Sequence, residues 1–163
     1  MEVVFDETDR QVLALLQADG RMTMRELGAR VGLSGAAAAE RVRRLEERGV
    51  IRGYRAEVAP DRLGLGVLAF VTVAISYERR PARAIESEAQ LMDEVVECYR
   101  ITGEDGYLLK VAVPDMEALR ETLDRLSEFG RIRTWTILST PKSASAMRPG
   151  APGPRVRFHL GAD

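Results

Sequence analysis

The stretch from Glu40 to Arg48 carries four arginines whose guanidinium groups suit nucleic-acid recognition. It reads ERVRRLEER, with Arg41, Arg43, Arg44 and Arg48 at helical spacing. A guanidinium can donate two parallel hydrogen bonds to a phosphate or to a guanine edge, so a helical row of arginines can contact DNA. The same pattern also fits a solvated helix face, because Glu40 and Arg44 stand four residues apart and form a favourable ion pair.

The elements that must position these arginines follow a helix-turn-helix pattern. Thr23 and Glu26 have capping-box spacing at the start of a short helix, and Gly32 can take the left-handed conformation that ends it. Ser34 predicts the cap of a second helix, which Gly49 ends. In that second helix three apolar residues recur on one face, at Ala38, Val42 and Leu45. The arginines therefore lie outward, as in a helix that enters the major groove of DNA.

An earlier helix, over 6–19, and a strand beginning at Val50 complete a predicted winged helix-turn-helix domain. We expect Arg41 and Arg44 to contact base edges or phosphates, and Ser34 to reach a phosphate. Small side chains at the helix start would let the backbone approach thymine methyl groups. The candidate DNA-binding residues are Ser34, Gly35, Ala36, Ala37, Glu40, Arg41, Arg43, Arg44 and Arg48.

The second half of the chain predicts four strands and two helices in the order β-α-β-β-α-β, a ferredoxin-like arrangement. The strands fall at 67–77, 95–102, 107–113 and 132–139, and the first and third are apolar at nearly every position. Because both faces of these strands look buried while the helices cover one face, we expect the sheet to pack against a second copy. Cys98, in mid-strand, is expected to be a buried apolar residue.

The predicted fold class is therefore α+β, with two domains joined by a Pro- and Gly-containing linker. The boundaries are 1–58 for the winged helix-turn-helix domain, 59–66 for the linker and 67–141 for the ferredoxin-like domain. Residues 142–163 are rich in Pro, Gly, Ser and Ala, and they predict a flexible tail.

Composition excludes several classes of protein. The formal net charge is -1, and residues 1–64 carry eleven basic and eleven acidic side chains, so DNA affinity must come from the placement of arginines. One cysteine excludes an intramolecular disulfide, and no set of residues suggests a metal or a cofactor. The start lacks a basic leader with an apolar run, and the longest apolar stretch is too short for a membrane span, so a cytoplasmic protein is expected.

The polar turn at 103–107 is the candidate effector site. Its amides could hold a ligand carboxylate while Glu104 or Asp105 holds an ammonium group. The alternative is that the turn has only a structural role, in which Gly103 and Gly106 permit a tight hairpin. Two hydroxyls of the last strand are expected at the same interface. The candidate effector-binding residues are Gly103, Glu104, Asp105, Gly106, Tyr107, Thr134 and Thr136.

These residues resemble the Lrp/AsnC, or feast/famine, family of bacterial and archaeal transcription regulators. The resemblance covers residues 6–140 and rests on short motifs in the family's order. They include Val31-Gly32-Leu33-Ser34, Glu40 to Glu46, Gly49-Val50-Ile51, Val95 to Tyr99, Thr102-Gly103 and Val113-Pro114-Asp115. The resemblance implies a regulator that binds double-stranded DNA and responds to an amino acid or related molecule, as a homodimer that assembles into octamers.

The chain departs from the family pattern in two places. Where the family's turn reads Gly-x-x-Asp-Tyr, with the acidic residue implicated in effector response, this chain has Gly106, and Asp105 stands one position earlier. The site is therefore expected to be vestigial or to accept a different ligand. The start of the second helix is mostly alanine, where many relatives carry proline or polar residues.

Two other classes of function stay open from the residues alone. Siroheme decarboxylases resemble this architecture, but they use histidine near the tetrapyrrole and the only histidine here is His159, in the tail. No nucleophile and base occur together as covalent catalysis requires, so we expect no enzyme. The third class is an assembly module whose helix-turn-helix does not bind DNA, which the neutral charge of residues 1–64 would fit.

Overall fold

A computed structural model describes residues 4–75, 84–143 and 146–149, and the chain divides into two compact units. Unit 1 comprises Met1–Ala56 and Lys142–Asp163, and unit 2 comprises Glu57–Pro141. The chain therefore leaves unit 1 once and returns to it after unit 2. Among the helices in the described ranges, none has the length and apolar composition needed to cross a bilayer.

Unit 1 contains three helices, α1 (Glu7–Ala18), α2 (Met24–Val31) and α3 (Gly35–Glu47). Asp6 caps α1 in a reciprocal capping box with Asp9: the Asp9 amide donates to Asp6 Oδ1 at 2.7 Å and the Asp6 amide donates to Asp9 Oδ2 at 3.2 Å. Thr23 caps α2, and Gly32 ends it with a φ of 72°. The predicted return contact of Glu26 is replaced by an ion pair with Arg30.

One apolar core holds these helices together. Because α1 and α3 each bury one stripe, the core forms where the three helices meet. Ala38, Val42 and Leu45 of α3 are buried, as their spacing predicted. The other buried members are Val12, Leu13, Leu16, Met22 and Leu27.

The strand predicted from Val50 is not formed with any described residue. The amides of Val50 and Ile51 instead donate to the Leu45 carbonyl, at 2.9 and 3.2 Å, and so close the end of α3. Tyr54 then donates its hydroxyl to Glu46 at 2.9 Å. This part of the prediction is wrong for the single chain because β-branched residues form a strand only where a partner strand is available.

Unit 2 is a four-stranded antiparallel sheet with two helices. Its elements are a short 3₁₀ helix (Pro60–Leu63), β1 (Val67–Ile75), α4 (Ala84–Leu91), β2 (Val95–Arg100), β3 (Tyr107–Val113), α5 (Met116–Ser127) and β4 (Gly130–Thr136). The strand order is β2-β3-β1-β4, and each pairing is antiparallel. This is the predicted ferredoxin-like βαββαβ arrangement, which is thereby confirmed. The predicted strand end and helix start between residues 76 and 83 lie outside the described residues.

The helices cover one face of the sheet. Ala69, Val71 and Val73 alternate along β1 and are fully buried in one core with residues of α4 and α5. On the opposite, open face of β1, Leu68 and Phe70 are only partly buried, whereas Thr72 is buried. In the single chain the open face is therefore only partly buried, and the apolar sequence pattern of these strands points to a covering surface outside the chain.

Candidate DNA-binding and ligand-binding sites

A close backbone approach at Gly28 sets the turn that positions α3. A Cβ at Gly28 would lie 2.7 Å from the Leu33 carbonyl oxygen and 2.9 Å from that of Ser34. The Leu33 amide donates back to the Gly28 carbonyl at 2.8 Å. Gly28 was not among the residues predicted to form the site, although a glycine inside a helix costs about 1 kcal/mol relative to alanine and so signals a packing requirement.

The N-terminus of α3 is open and lined by small side chains. Ser34 Oγ accepts from the Ala37 amide at 3.1 Å, which leaves the hydroxyl hydrogen able to donate to a phosphate. Ala36 and Ala37 are exposed, whereas Ala38 is fully buried. A Cβ at Gly35 would stand 3.2 Å from Arg25 Cα, so glycine lets α3 begin close against α2. The predicted residues at the helix start are thus brought together on one accessible surface.

Arg41 points toward α1. Its Nη1 lies 2.6 Å from Asp6 Oδ2 and 2.7 Å from Asp9 Oδ1, and Asp9 is buried. The Asp9 amide and then Arg41 hold the pKa of Asp6 below its usual value, and the two carboxylates raise the pKa of Arg41. This geometry favours a structural role for Arg41, which locks α3 onto α1, over the base contact that the sequence suggested.

Arg43 and Arg44 are exposed and share one carboxylate. Arg43 makes a bidentate contact with Glu40, at 2.9 and 2.8 Å, and also pairs with Glu47. Arg44 Nε lies 3.2 Å from Glu40 Oε1. Hydrogen bonds from Arg43 are the largest cause that lowers the pKa of Glu40 to about 2. Both arginines stay in place through contacts that a phosphate could replace.

Arg48 follows α3 and is exposed. Within the described residues it has no ion pair, so its guanidinium is available to a phosphate. Arg44 and Arg48 line the edge of a cleft of about 270 Å³ between α3 and the start of α1. Arg43, Arg44 and Arg48 therefore form the outward cationic group of the helix, which we call the α3 arginine row.

The turn between β2 and β3 depends on two glycines in unusual conformations. Gly103 has a φ of 106° and Gly106 a φ of 75°, which are backbone angles that residues other than glycine rarely adopt. The Ile101 amide donates to the Gly106 carbonyl, and the Tyr107 amide donates to the Asp105 carbonyl. The Tyr107 amide is therefore already used inside the turn.

Asp105 is the carboxylate of this turn that the structure holds in place. Its side chain is only 18% exposed, and its Oδ2 lies 3.2 Å from Arg133 Nη1 on β4. Its Oδ1 is buried and has no hydrogen-bond partner in the part of the chain that the structure describes. A buried carboxylate oxygen without a donor is costly, so this atom is a ready acceptor for a ligand N–H.

The remaining predicted effector residues lie on two faces of the sheet. Thr134 and Thr136 align with Val71 and Ala69, so they are on the helix-covered side of β4, whereas the adjacent Arg133 is on the open side. Within the described part of a single chain, the structure does not bring these threonines together with Asp105. Tyr107 is likewise buried on the helix-covered side.

A groove of about 420 Å³ on the helix-covered side was not predicted. It lies between α4 and β2, and Glu86, Cys98, Arg100 and Tyr107 are among its lining residues. The Tyr107 hydroxyl lies 2.5 Å from Glu86 Oε1, and burial together with this carboxylate raises the pKa of Tyr107 to about 12. Cys98 is exposed, contrary to expectation, because β2 is an edge strand.

The open face of the sheet carries an aromatic pair. Phe70 on β1 stands opposite Trp135 on β4, and Trp135 is 50% exposed. Leu68 and Leu108 lie on the same face. Thr72 of β1 also lies there and stands opposite Leu108 on β3 and Arg133 on β4. Thr72 Oγ1 is buried without a partner among the described residues. This face combines apolar surface with an unsatisfied hydroxyl.

Two family models match successive parts of the chain. A model of winged helix-turn-helix DNA-binding domains matches residues 5–52. A model described as the Lrp/AsnC ligand binding domain matches residues 68–147. Together they confirm the predicted fold class, a winged helix-turn-helix domain followed by a ferredoxin-like domain.

Similar proteins share most of their length with this chain. It is 39% identical over 147 residues to the leucine-responsive regulatory protein of Klebsiella pneumoniae, which covers 87% of this chain and 90% of that protein. A transcriptional regulator of Neisseria meningitidis, in complex with L-methionine, has a TM-score of 0.82 at 32% identity and covers 88% of this chain and 96% of its own. The feast or famine regulatory protein of Mycobacterium tuberculosis, complexed with L-methionine, has a TM-score of 0.83 at 38% identity, and the match covers 90% of this chain and 100% of that protein.

Proposed function

The chain belongs to the Lrp/AsnC family of DNA-binding transcriptional regulators, and we propose that the α3 arginine row is where it meets DNA. The observation that carries this proposal is the outward group of Arg43, Arg44 and Arg48 on the second helix of the helix-turn-helix motif. Ser34, Ala36 and Ala37 extend the same surface at the helix start. Arg41 and Gly28 act indirectly, by fixing the angle at which α3 is presented.

The arginines reach DNA by exchanging carboxylates for phosphates. Exposed ion pairs such as Arg44–Glu40 contribute little free energy, so their replacement by a phosphate contact is nearly free of cost. Unit 1 has few hydrogen-bonding side chains at the start of α3, so a single copy discriminates weakly between sequences. Several copies bound to neighbouring half-sites would supply the missing affinity through effective concentration.

The test is DNA binding by Arg44→Ala and Arg48→Ala variants on the regulator's own upstream DNA. If the arginine contacts a base edge, its substitution should weaken binding by about 5- to 150-fold, and if it contacts a phosphate, affinity should fall for all sequences alike with a salt slope lower by about 1. Arg120→Ala is the matched control, because Arg120 is an exposed arginine with carboxylate partners on α5 of unit 2. Wild-type affinity in both α3 variants would contradict the assignment.

The ligand-binding domain responds to a small molecule that carries an ammonium group, and we place that group at Asp105. The support is the buried Oδ1 without a donor, beside an Oδ2 that is already paired with Arg133. Methionine complexes of two similar proteins make an amino acid the first class of ligand to examine. Titration calorimetry with a panel of amino acids tests this, and the absence of heat with every one would leave the site vestigial.

The assembly is a homodimer formed through the open face of the sheet, with an octamer as the larger form. Trp135 is exposed there beside the partly buried Leu68, Phe70 and Leu108, and an apolar patch of this kind on a sheet indicates a protein interface. Sedimentation velocity of Trp135→Asp should show a smaller species than the wild type. Leu138→Asp is the control, because Leu138 is also exposed but follows β4. An unchanged sedimentation coefficient for Trp135→Asp would argue against this face.

The similar proteins are transcriptional regulators, and we propose no catalytic activity for this chain. Purified protein without a Soret band would agree with this view against the tetrapyrrole-enzyme alternative. A regulator of this kind acts on chromosomal DNA, so the cytoplasm is the proposed location. Loss of all DNA binding at low salt would favour the alternative of an assembly module.

A further inference from the structure

The segment 146–149, which follows unit 2, is bound to helix α1 of unit 1. Gln17 binds both backbone groups of Met147: its Nε2 donates to the Met147 carbonyl at 2.9 Å, and the Met147 amide donates to its Oε1 at 2.8 Å. Arg10 Nη1 donates to the Pro149 carbonyl at 3.1 Å. The sequence predicted a flexible tail, yet this part of it has specific partners.

The geometry of α1 suits an extended peptide. Arg10, Ala14 and Gln17 are spaced at i, i+4 and i+7, so they lie on one helix face. The exposed alanine in the middle has no long side chain to keep a backbone away. The contacts pair Gln17 with residue 147 and Arg10 with residue 149, so the segment runs antiparallel to α1. All three hydrogen bonds use backbone groups of the segment, so its own side chains remain free.

Charge alone does not explain this placement. Unit 2, residues 57–141, carries ten basic and fifteen acidic side chains, so a basic tail would be attracted there first. Residues 1–56 carry ten basic and nine acidic side chains, and residues 142–163 carry four basic and one acidic. Docking of 146–149 on α1 therefore adds the positive charge of Arg148 to residues 1–56, whose formal net charge is +1.

We propose that α1 carries a docking site for the chain's own C-terminal segment, and that docking brings the basic tail to DNA phosphates. Arg148 lies within the docked segment and is exposed, so it can contact a phosphate while its neighbours stay bound to α1. The match to the family model of the ligand-binding domain ends at residue 147, so most of the tail lies beyond the matched domain. This inference rests on the proposed DNA binding, since the tail adds phosphate contacts to those of the α3 arginine row.

The docking is tested by a spin label that needs no DNA. In a Cys98→Ala background, Ala146→Cys carries a nitroxide beside the docked Met147. The full chain should give the broad spectrum of an immobilised label, and Arg10→Ala with Gln17→Ala should convert it to the sharp spectrum of a mobile one. Gln11→Ala is the control, because Gln11 lies on α1 and bonds Glu7 instead of the tail. A sharp spectrum in the full chain, or a broad one in the double variant, overturns the docking.

The contribution to DNA binding is tested by salt dependence. Affinity for double-stranded DNA is measured against salt concentration for the full chain and for a chain ending at Ser143. Each phosphate contact adds about 0.9 to the slope of log affinity against log salt, so the shortened chain should lose about 1 to 3 units. An equal slope in both chains overturns the DNA role of the tail. If neither chain binds DNA, the proposed function itself fails, and the label spectrum still decides the docking.

Discussion

The α3 arginine row and the turn at Asp105 are both polar candidate sites, but they hold their charges in opposite ways. On α3, the carboxylate partners of Arg43 and Arg44 come from the same helix, three or four residues away, and the pairs are exposed. At the turn, Asp105 is mostly buried, and its partner Arg133 comes from a strand 28 residues further along the chain. One of its oxygens has no donor within the described residues.

The α3 arginine row is therefore a surface whose arginines can exchange a carboxylate partner for a phosphate, whereas the Asp105 turn is a site where a carboxylate oxygen lacks a hydrogen-bond donor among the described residues. An exposed ion pair contributes about 0–1 kcal/mol, so its loss to a phosphate changes the free energy of the protein little. A buried acceptor without a donor costs about 1–3 kcal/mol, and a ligand that supplies a donor recovers that amount. DNA binding at α3 therefore needs no rearrangement of the core, whereas ligand binding at Asp105 changes the stability of unit 2.

The largest expected effect comes from Gly28→Ala, which should destroy the α3 surface while sparing the turn. The new Cβ would press on two backbone carbonyls, which cannot move as flexible side chains do. Overpacking of this kind costs about 1–3 kcal/mol, a large share of the stability of a small domain. Urea unfolding of the Gly28→Ala variant should show unit 1 unfolding at a lower urea concentration, with unit 2 unchanged, and the variant should no longer bind DNA.

Gly20→Ala is the control for this experiment. A Cβ at Gly20 meets a Tyr54 side-chain atom at 3.4 Å, which is an ordinary contact. It should bind DNA like the wild type. Equal stability of Gly28→Ala and Gly20→Ala would show that the turn before α3 is looser than the structure indicates.

The next effect in size is expected at the turn, from Asp105→Asn. The substitution keeps the shape but removes the negative charge, so a ligand ammonium loses a charge-assisted hydrogen bond of about 1.5–3 kcal/mol. Affinity for an amino-acid ligand should fall by about 10- to 150-fold in titration calorimetry. Glu104→Gln is the matched control, since Glu104 is exposed and adjacent. The reverse ranking of these two variants would assign the ammonium to Glu104.

The same contrast explains which features the sequence predicted. The α3 surface follows from local signals: the Ser34 cap, the burial of Ala38 and Val42, and the outward arginines all arise within a few residues. The inward turn of Arg41 was missed because its partners, Asp6 and Asp9, are 35 and 32 residues away. Their position depends on how α1 packs against α3, which periodicity does not specify.

The turn shows the same dependence on distant pairing. The glycines and the polar residues predicted a tight turn correctly, since the left-handed conformations of Gly103 and Gly106 are local. Its contact with Arg133 is set by the register of β1 with β4, and that register also places Thr134 on the other face. The exposure of Cys98 likewise follows from strand order, because β2 lies at an edge.

A smaller effect is expected from Asp6, which joins the cap of α1 to Arg41. Asp6→Ala should lower the free energy of unfolding of unit 1 by about 1 kcal/mol at pH 7 through loss of the cap. The pKa of Asp6 is lowered in the folded state. The stabilisation by Asp6 is therefore complete at pH values above the ordinary pKa of aspartate, and it disappears as the pH falls through the lowered pKa. The gap between wild type and Asp6→Ala should be constant from pH 7 to about 5 and should close below about 4.

Urea titrations followed by circular dichroism across this pH range measure that gap. Asp124→Ala is the control, because Asp124 pairs with Arg120 on the surface of unit 2. A gap that stays constant down to pH 2 would mean that the ionised form of Asp6 is not what stabilises α1.

The smallest effect is expected from Glu40→Gln, and its sign is the sharpest test of partner exchange on α3. In the free protein Glu40 holds Arg43 and Arg44, and a bound phosphate must take its place. Removal of this carboxylate frees Arg44, leaves Arg43 with Glu47 as its remaining partner and removes a negative charge near DNA, so affinity should rise by about two- to fivefold. Fluorescence anisotropy with labelled duplex DNA at constant salt measures the change. Glu117→Gln is the matched control, since it removes one of the two carboxylate partners of Arg120 on α5 without altering α3. A fall in affinity for Glu40→Gln would show that Glu40 accepts a hydrogen bond from DNA, as a carboxylate does from the cytosine amino group, and that α3 reads a base there instead of releasing its arginines.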